Sequence, residues 1–415
     1  MLLRSVAILA LVWLFVRPAA AQPSDSAAVR AAFDSVVTAN TYTATLEDGR
    51  LTGPGADWLE ARGREVDHFL MSERHGTAQI PAVAASLYER LADHYGPVAL
   101  EIGPYAAGAT NEALGRGGYS ALEDLLTRYE GPVIPFLNWK EESQMAARMA
   151  EAGATIWGID YEFLFSLPMH LDALAEQAET DREREAVRRT RTQLEEEWGG
   201  ATAPAVGAAP PSELRALRAA FEPRGDDEAL ARIDALLESN AIYAPYVRDS
   251  TDITFFDSRT RRETLMKEQL IDYIRDWEDE HGSAPNVFHK NAHTSKRPEE
   301  RFYLSLGAFM AEWARVRDEE TFHVLADCNG GSIPKTGQGG GGACTAYLGG
   351  EDSPFADHLR EDEITIIDLR ALRSRYFDWD FLPDDLREEI VSVDAYVALP
   401  DVEPSEPLTP LPRGE

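Results

Sequence analysis

Four apolar runs in this 415-residue chain stop at ionisable side chains. "HFLMSERH" ends in Glu73, Arg74 and His75, and "PVALEIG" leads to Glu101. "ATIWGIDYE" ends in Asp160 and Glu162, and "NVFHKNAH" in His289, Lys290 and His293. If these runs are parallel strands of an open sheet, their carboxyl ends share the edge where ligands bind. The chemistry open to such a set is water activation. A neutral imidazole takes a proton from water near pH 7. A carboxylate behind it fixes the tautomer and stabilises the imidazolium, and further charged groups orient the water and a carbonyl. His75, Glu101, Asp160 and His293 supply this set, with Glu73, Arg74, His289 and Lys290 as substrate contacts. Two histidines with carboxylates also suit zinc or iron. In that reading His75, Glu101 and His293 are the ligands. Spacing does not separate the two, and the expectation is a site without a cofactor. A single acid at a strand end has a plainer reading, as the cap of the next helix.

Other chemistries lack their motifs. No G-x-S-x-G elbow is present. "GQGGGG" follows a cysteine and precedes no helix signal, so it reads as a flexible loop and not a phosphate cradle.

The elements that must position these groups are short β-branched or aromatic runs. They are His68–Glu73, Val98–Gly103, Val133–Trp139, Thr155–Tyr161, Asn286–Ala292, Phe322–Asp327, Ile364–Leu369 and Val393–Leu399. Helical stretches at 80–95, 110–129 and 141–152 separate the first four, which is the βαβ pattern of a parallel sheet. The runs are apolar on both faces, as strands covered by helices on both sides must be. From about 168 to 240 the sequence is charged and helical, broken by "GGATAPAVGAAPPSE". The expected fold is α/β, with a mostly parallel central sheet flanked by helices and a helical insertion. The expected parts are 22–167, the insertion 168–240, the second half 241–400 and a Pro-rich, disordered tail 401–415.

The start of the chain reads as a signal peptide over 1–21. Arg4 precedes an apolar core at 5–16, and Ala19-Ala20-Ala21 is a small-residue cleavage pattern. An exported protein, periplasmic or secreted, with no membrane span after cleavage is expected. The chain holds 72 acids and 40 bases, a formal charge of −32. Such a charge repels nucleic acid and anionic membranes. A small-molecule substrate and a monomeric state are expected. Cys328 and Cys344 have no C-x-x-C metal spacing, and in an exported chain they read as a disulfide. Closing this loop would stabilise by about 3 kcal/mol in the chain-entropy model.

The motifs together resemble the erythromycin esterase-like family. "ERHGTAQIP" followed by a helix and "VALEIG" looks like that family's start, and "WGIDYE" resembles its Gly-x-Asp strand. "RRETLMKEQL" resembles its Arg-acid-x-x-Met helix, "NVFHKNAH" its Asn-x-His strand end and "FYLSLGAFM" its Leu-Gly element. The resemblance runs in order from about Phe69 to Met310. It implies ester or lactone hydrolysis by His-activated water without a covalent intermediate. It also implies His75 as base, with Glu101, Asp160, Arg262 and His293 as further pocket positions. Two departures stand out. The family's acid three places before the histidine is Ser72 here, and Glu73 comes one place late. The first histidine of the family's His-Asn-x-His is Lys290. One place along a strand reverses the side-chain direction, so Glu73 reaches the pocket only if the strand end permits it. The alternative reading is a non-catalytic metal-, haem- or ligand-binding protein on the same fold.

Overall fold

The computed structural model describes residues 26–200, 202–247, 251–297, 304–335, 338–350 and 353–409. The expected signal peptide lies outside the described residues. The strands are β1 (Thr41–Glu47), β2 (Arg50–Thr52), β3 (His68–Glu73), β4 (Pro97–Leu100) and β5 (Thr155–Gly158). They continue with β6 (Val287–Lys290), β7 (Thr321–Lys335), β8 (Gln338–Ala343), β9 (Ile364–Asp368) and β10 (Ala395–Val402). They form one ten-stranded sheet in the order β2-β1-β9-β10-β7-β3-β6-β4-β5, with β8 paired to β7. From β10 to β5 every pairing is parallel. The β1, β2, β9 edge and the β7–β8 hairpin are antiparallel. The fold is therefore α/β with a mixed, mostly parallel sheet and helices on both faces.

Side chains alternate across the sheet. Phe69, Met71 and Phe288 pack on one face with the helices Pro54–Gly63, Gln79–Leu91 and Lys140–Glu151. Leu70, Ala99, Trp157 and Val287 pack on the other with the helices Asp252–His281 and Leu306–Val316. Between β5 and the helix Asp252–His281, five helices from Leu167 to Val247 enclose a separate apolar core that includes Leu171, Leu194, Leu214, Phe221 and Leu236. The Gly/Ala/Pro stretch inside this region is partly built: Ala205–Ala208 is a buried turn of helix, and Asn240 donates to the carbonyls of Val206 and Ala209.

Three expectations are corrected. Val133–Trp139 is not a strand but a buried loop. Its apolar side chains Val133, Ile134 and Leu137 are buried, yet Pro132 and Pro135 lack the N–H a ladder needs. "GQGGGG" is not a free loop over residues 338–342, where β8 pairs with β7; Gly337 lies outside the described residues. The tail is not frayed over 401–409: β10 runs to Val402, and residues 403–409 lie across the loops at 76–79 and 138–141. Residues 410–415 lie outside the described residues. Cys328 and Cys344 form a disulfide at the base of the β7–β8 hairpin, with a Cα–Cα distance of 6.1 Å. No helix among the described residues is long and apolar enough to cross a membrane.

Three fully buried histidines, His68, His289 and His323, line the face under the helix Leu306–Val316. His289 and His323 flank Leu70 on either side. Burial, and then the Lys296 charge, push the His323 imidazole down to about 3. Burial also holds His289 well below the usual range. Both are neutral in the fold and take up a proton on unfolding below about pH 6.5. Stability is thus complete above that pH. It falls as pH drops toward the folded value, by up to about 1.4 kcal/mol per pH unit for each histidine. Urea unfolding at pH 7 and pH 5 should show this loss, and His323→Gln should reduce it. Equal losses in the two proteins would refute the linkage.

Candidate functional site

The site begins where β3 ends. Gly76 turns the chain with φ of +84°, and a Cβ there would sit 2.7 Å from Pro334 of the hairpin. Such a contact favours glycine on both counts. The turn leaves His75 at the carboxyl edge with its side chain about one-third exposed. Its Nδ1 lies 3.1 Å from Glu73 Oε1, and its Nε2 lies 3.7 Å from Glu101 Oε2. The ring stacks on Phe136 at 4.4 Å between centroids. Phe136 comes from the 132–139 loop and has φ of 58°, a left-handed conformation that costs a phenylalanine about 1–3 kcal/mol. Glu73 therefore does reach the site, through the regular end of β3. It faces the side of Met71 and Phe69, where Lys290 also points.

Two charged arms meet at His75. On one side, the buried Lys290 ammonium sits 2.7 Å from Glu73 Oε1 and 2.5 Å from Glu142 Oε2. A narrow cleft with a volume of only about 10 Å³ is lined by these three with Glu101, Leu100, Ile102, Phe136 and Leu137. On the other side, Arg262 Nη2 donates to Glu101 Oε1 and Asp160 Oδ2, each at 2.5 Å. Its Nε adds a 3.1 Å bond to Asp160 Oδ1. Glu101 Oε2 also accepts the Ala292 N–H at 3.0 Å. His293 Nε2 lies 3.4 Å from Glu101 Oε1, and its Nδ1 bonds Glu263.

The arms divide their protons unequally. Burial alone would raise the Glu73 carboxyl, but Lys290 and His75 hold it below the usual range. Burial pushes Glu142 up to about 7, and Lys290 opposes this only in part. Burial opposes ionisation of Glu101 too, yet His293 and Arg262 keep it well below the carboxylate range. His293 is drawn down by burial and by Arg262, but Glu101 and Glu263 raise it to about 10. Burial lowers the His75 imidazole as well. The hydrogen bond to Glu73 and the Glu101 charge outweigh that, and its pKa is raised above 6.5.

The structure brings His75, Glu101, Asp160, Arg262, His293, Glu73 and Lys290 into one continuous array. It does not bring three others there. Arg74 turns to Asp327, donating from Nε at 2.5 Å to a carboxylate that also accepts the Tyr396 hydroxyl and the Tyr347 N–H. His289 points to the opposite face of β6 from Lys290, buried beside His68 with Nε2 3.5 Å from its Nδ1. Period-two alternation makes neighbours 289 and 290 face opposite ways. His289 is therefore corrected from a substrate contact to a core residue. Glu162 takes the plainer role, accepting the Tyr105 N–H at the start of the helix Pro104–Thr127 at 2.9 Å and bonding the buried His170.

Three participants escaped the sequence reading. Glu142 is an acid in the first turn of the helix Lys140–Glu151, where a helix dipole alone would explain it. Glu263 stands inside the Arg-acid-x-x-Met motif beside Arg262, so a signal for it was present. Phe136 lies in the misread loop.

The donor set fits a metal poorly. Glu101 has both oxygens engaged, by the Arg262 guanidinium and the Ala292 N–H, and the Arg262 cation stands beside the place a metal would take. Among the described residues, metal-ligand atoms gather closely only at Asp327, Cys328 and Cys344, and both those sulfurs are in the disulfide.

Lys290 is the shared counterion of two buried acids. Losing one partner of a buried ion pair costs about 3–5 kcal/mol. Lys290→Met should destabilise by that much in chemical denaturation. Lys290→Met combined with Glu142→Met, which removes charge on both sides, should recover part of it. A single variant as stable as the parent would show that Lys290 does not hold the array.

Solved structures share this architecture. An erythromycin esterase mutant, EreC in its open conformation, superposes with a TM-score of 0.60 at 15% identity, covering 89% of this chain and 100% of that one. A succinoglycan biosynthesis protein gives 0.59 at 13% identity, covering 91% and 99%. A Bacillus cereus protein gives 0.56 at 12% identity, covering 93% and 100%. These likenesses show a common fold. No protein-family model matches the sequence, and no curated protein does.

Proposed function

We propose that this protein is a divergent member of the erythromycin esterase-like family and hydrolyses an ester or lactone of a small molecule with water activated by His75. One observation carries the reading: an accessible imidazole held at Nδ1 by Glu73, with Nε2 directed toward the ionised Glu101 across 3.7 Å. A bridging water needs the two groups about 4.5 Å apart, a spacing that a small rotation of the half-buried imidazole supplies. Such a water donates one proton to His75 Nε2 and the other to Glu101, leaving its lone pairs for the carbonyl carbon. Glu73 accepts the Nδ1–H and so fixes the tautomer and steadies the imidazolium. Arg262 and the charged His293 border Glu101 and supply positive charge for the oxyanion that develops. The imidazolium then returns its proton to the leaving alkoxide, giving acid and alcohol. The fold shared with an erythromycin esterase supports this reading, and the engaged oxygens of Glu101 favour water activation without a metal. Export belongs to the same proposal, supported by the disulfide and the sequence of residues 1–21.

The base form of His75 is the deprotonated one, and its pKa is raised. The rate should therefore rise with pH along a limb centred alkaline of the ordinary imidazole value of about 6.5. On a panel of nitrophenyl esters and lactones, His75→Ala should lower kcat/KM by about 10²- to 10⁴-fold with an unchanged circular dichroism spectrum. Turnover at the parent rate in a folded His75→Ala protein would end the proposal.

A further inference from the structure

Residues 403–409 form a strap that spans two loops. Glu403 accepts the Ala78 N–H at 2.8 Å, and the Ser405 N–H is donated to Gly76 at 2.9 Å. The Glu403 N–H goes to Gln79 Oε1 at 2.9 Å. Further along, the Lys140 N–H is donated to Glu406, and the Leu408 N–H to Asn138, both at 2.8 Å. The Glu406 N–H reaches Glu141 Oε2 at 2.9 Å, and Thr409 Oγ1 donates to the buried Asn138 Oδ1 at 2.6 Å. Pro404 and Pro407 have no N–H to place, and each forms an isolated bridge, to Thr77 and to Trp139. Every backbone donor at 403, 405, 406 and 408 is thus used on these two loops.

The loops are the ones that present His75 and Phe136. Gly76 follows His75, and Asn138 lies two places beyond Phe136. The two rings stack at the point where the loops meet. Phe136 is held in a left-handed conformation that surrounding structure must impose. Prolines at 404 and 407 leave less chain entropy to lose on ordering, which favours a strap held by a handful of bonds.

We propose that residues 403–409 are a positioning element for His75, holding its turn in register with the Phe136 loop so that the imidazole stays aimed between Glu73 and Glu101. The strap touches no reacting atom and acts through Gly76 and Asn138. The inference rests on the hydrolytic reading for its kinetic consequence, and on geometry alone for its effect on the imidazole.

Two shortened chains test it. One ends at Val402 and lacks the strap; the other ends at Thr409 and keeps it. The chain ending at Val402 should lose about 10- to 100-fold in kcat with KM little changed, as expected when a base is misplaced. In NMR titration its His75 resonance should move toward the ordinary value of about 6.5. The chain ending at Thr409 should match the full chain in both. If the chain ending at Val402 does not fold, Ser405→Pro decides, because it removes the N–H given to Gly76 and leaves the rest of the strap. A folded strapless chain, or a folded Ser405→Pro protein, with parental kcat and His75 titration would overturn the proposal. If the full chain hydrolyses nothing, the hydrolytic reading fails, while the His75 titration still reports on the strap.

Discussion

The site depends on an unbroken alternation of charge. Glu142, Lys290, Glu73, His75 and Glu101 follow one another by ion-pair contacts. From Glu101 the chain of contacts forks, through Arg262 to Asp160 and through His293 to Glu263. Each cation is shared by two acids. A buried carboxylate left alone costs several kcal/mol or takes up a proton. Five of them at one sheet edge are tolerable only because no two are neighbours without a base between them. His75 is the weakest link in this chain, the most exposed and the one with the longest contact. Its charge can change at moderate pH, as that of the buried Glu142 can, and of the two it is the one open to solvent, which makes it the natural place for a proton to enter or leave.

The sheet makes this arrangement possible by splitting the array between its faces. Lys290 shares the face of Phe288, and Glu73 that of Met71 and Phe69, beneath the helix that carries Glu142. Arg262 and Glu263 come from the helix Asp252–His281, which packs on the other face against Ala99 and Trp157. Neither half could reach the other through the sheet. They join only past the strand ends, where the chain is free of the ladder, and the His75 turn spans that gap. This is the physical content of the rule that parallel sheets bind ligands at their carboxyl edges.

The edge was legible because ionisable residues that end apolar runs are conspicuous against a buried strand pattern. His75, Glu101, Asp160 and His293 could be read that way. The misreadings share a cause, which is that local pattern does not report what a neighbour does. The run at Val133–Trp139 is as apolar as a strand, but Pro132 and Pro135 make it a loop that still buries its side chains. His289 and Lys290 look equivalent in sequence, and only the register of β6 decides that one is core and the other site. The Pro-rich stretch after Val402 has the composition of a frayed end. Its donors nonetheless find acceptors more than 250 residues away in sequence, on loops that composition cannot connect to it.

Glu73 and Lys290 depend on one another. Glu73 stands on the opposite face of β3 from Ser72, where an unpaired carboxylate would be buried beside Leu100 and Phe136. A lysine at 290 stands on that same face, one strand over, and meets Glu73 at 2.7 Å. A neutral imidazole there would leave Glu73 and Glu142 to repel each other with no fixed cation between them. With lysine in place, Glu73 remains ionised and can accept the His75 Nδ1–H. Ser72, on the other face, makes only a weak bond to the Ala292 carbonyl at 3.4 Å. Lys290 would keep Glu142 as a partner without Glu73, but Glu73 has no other buried cation beside it among the described residues. Together they preserve what the imidazole requires, an ionised carboxylate behind Nδ1.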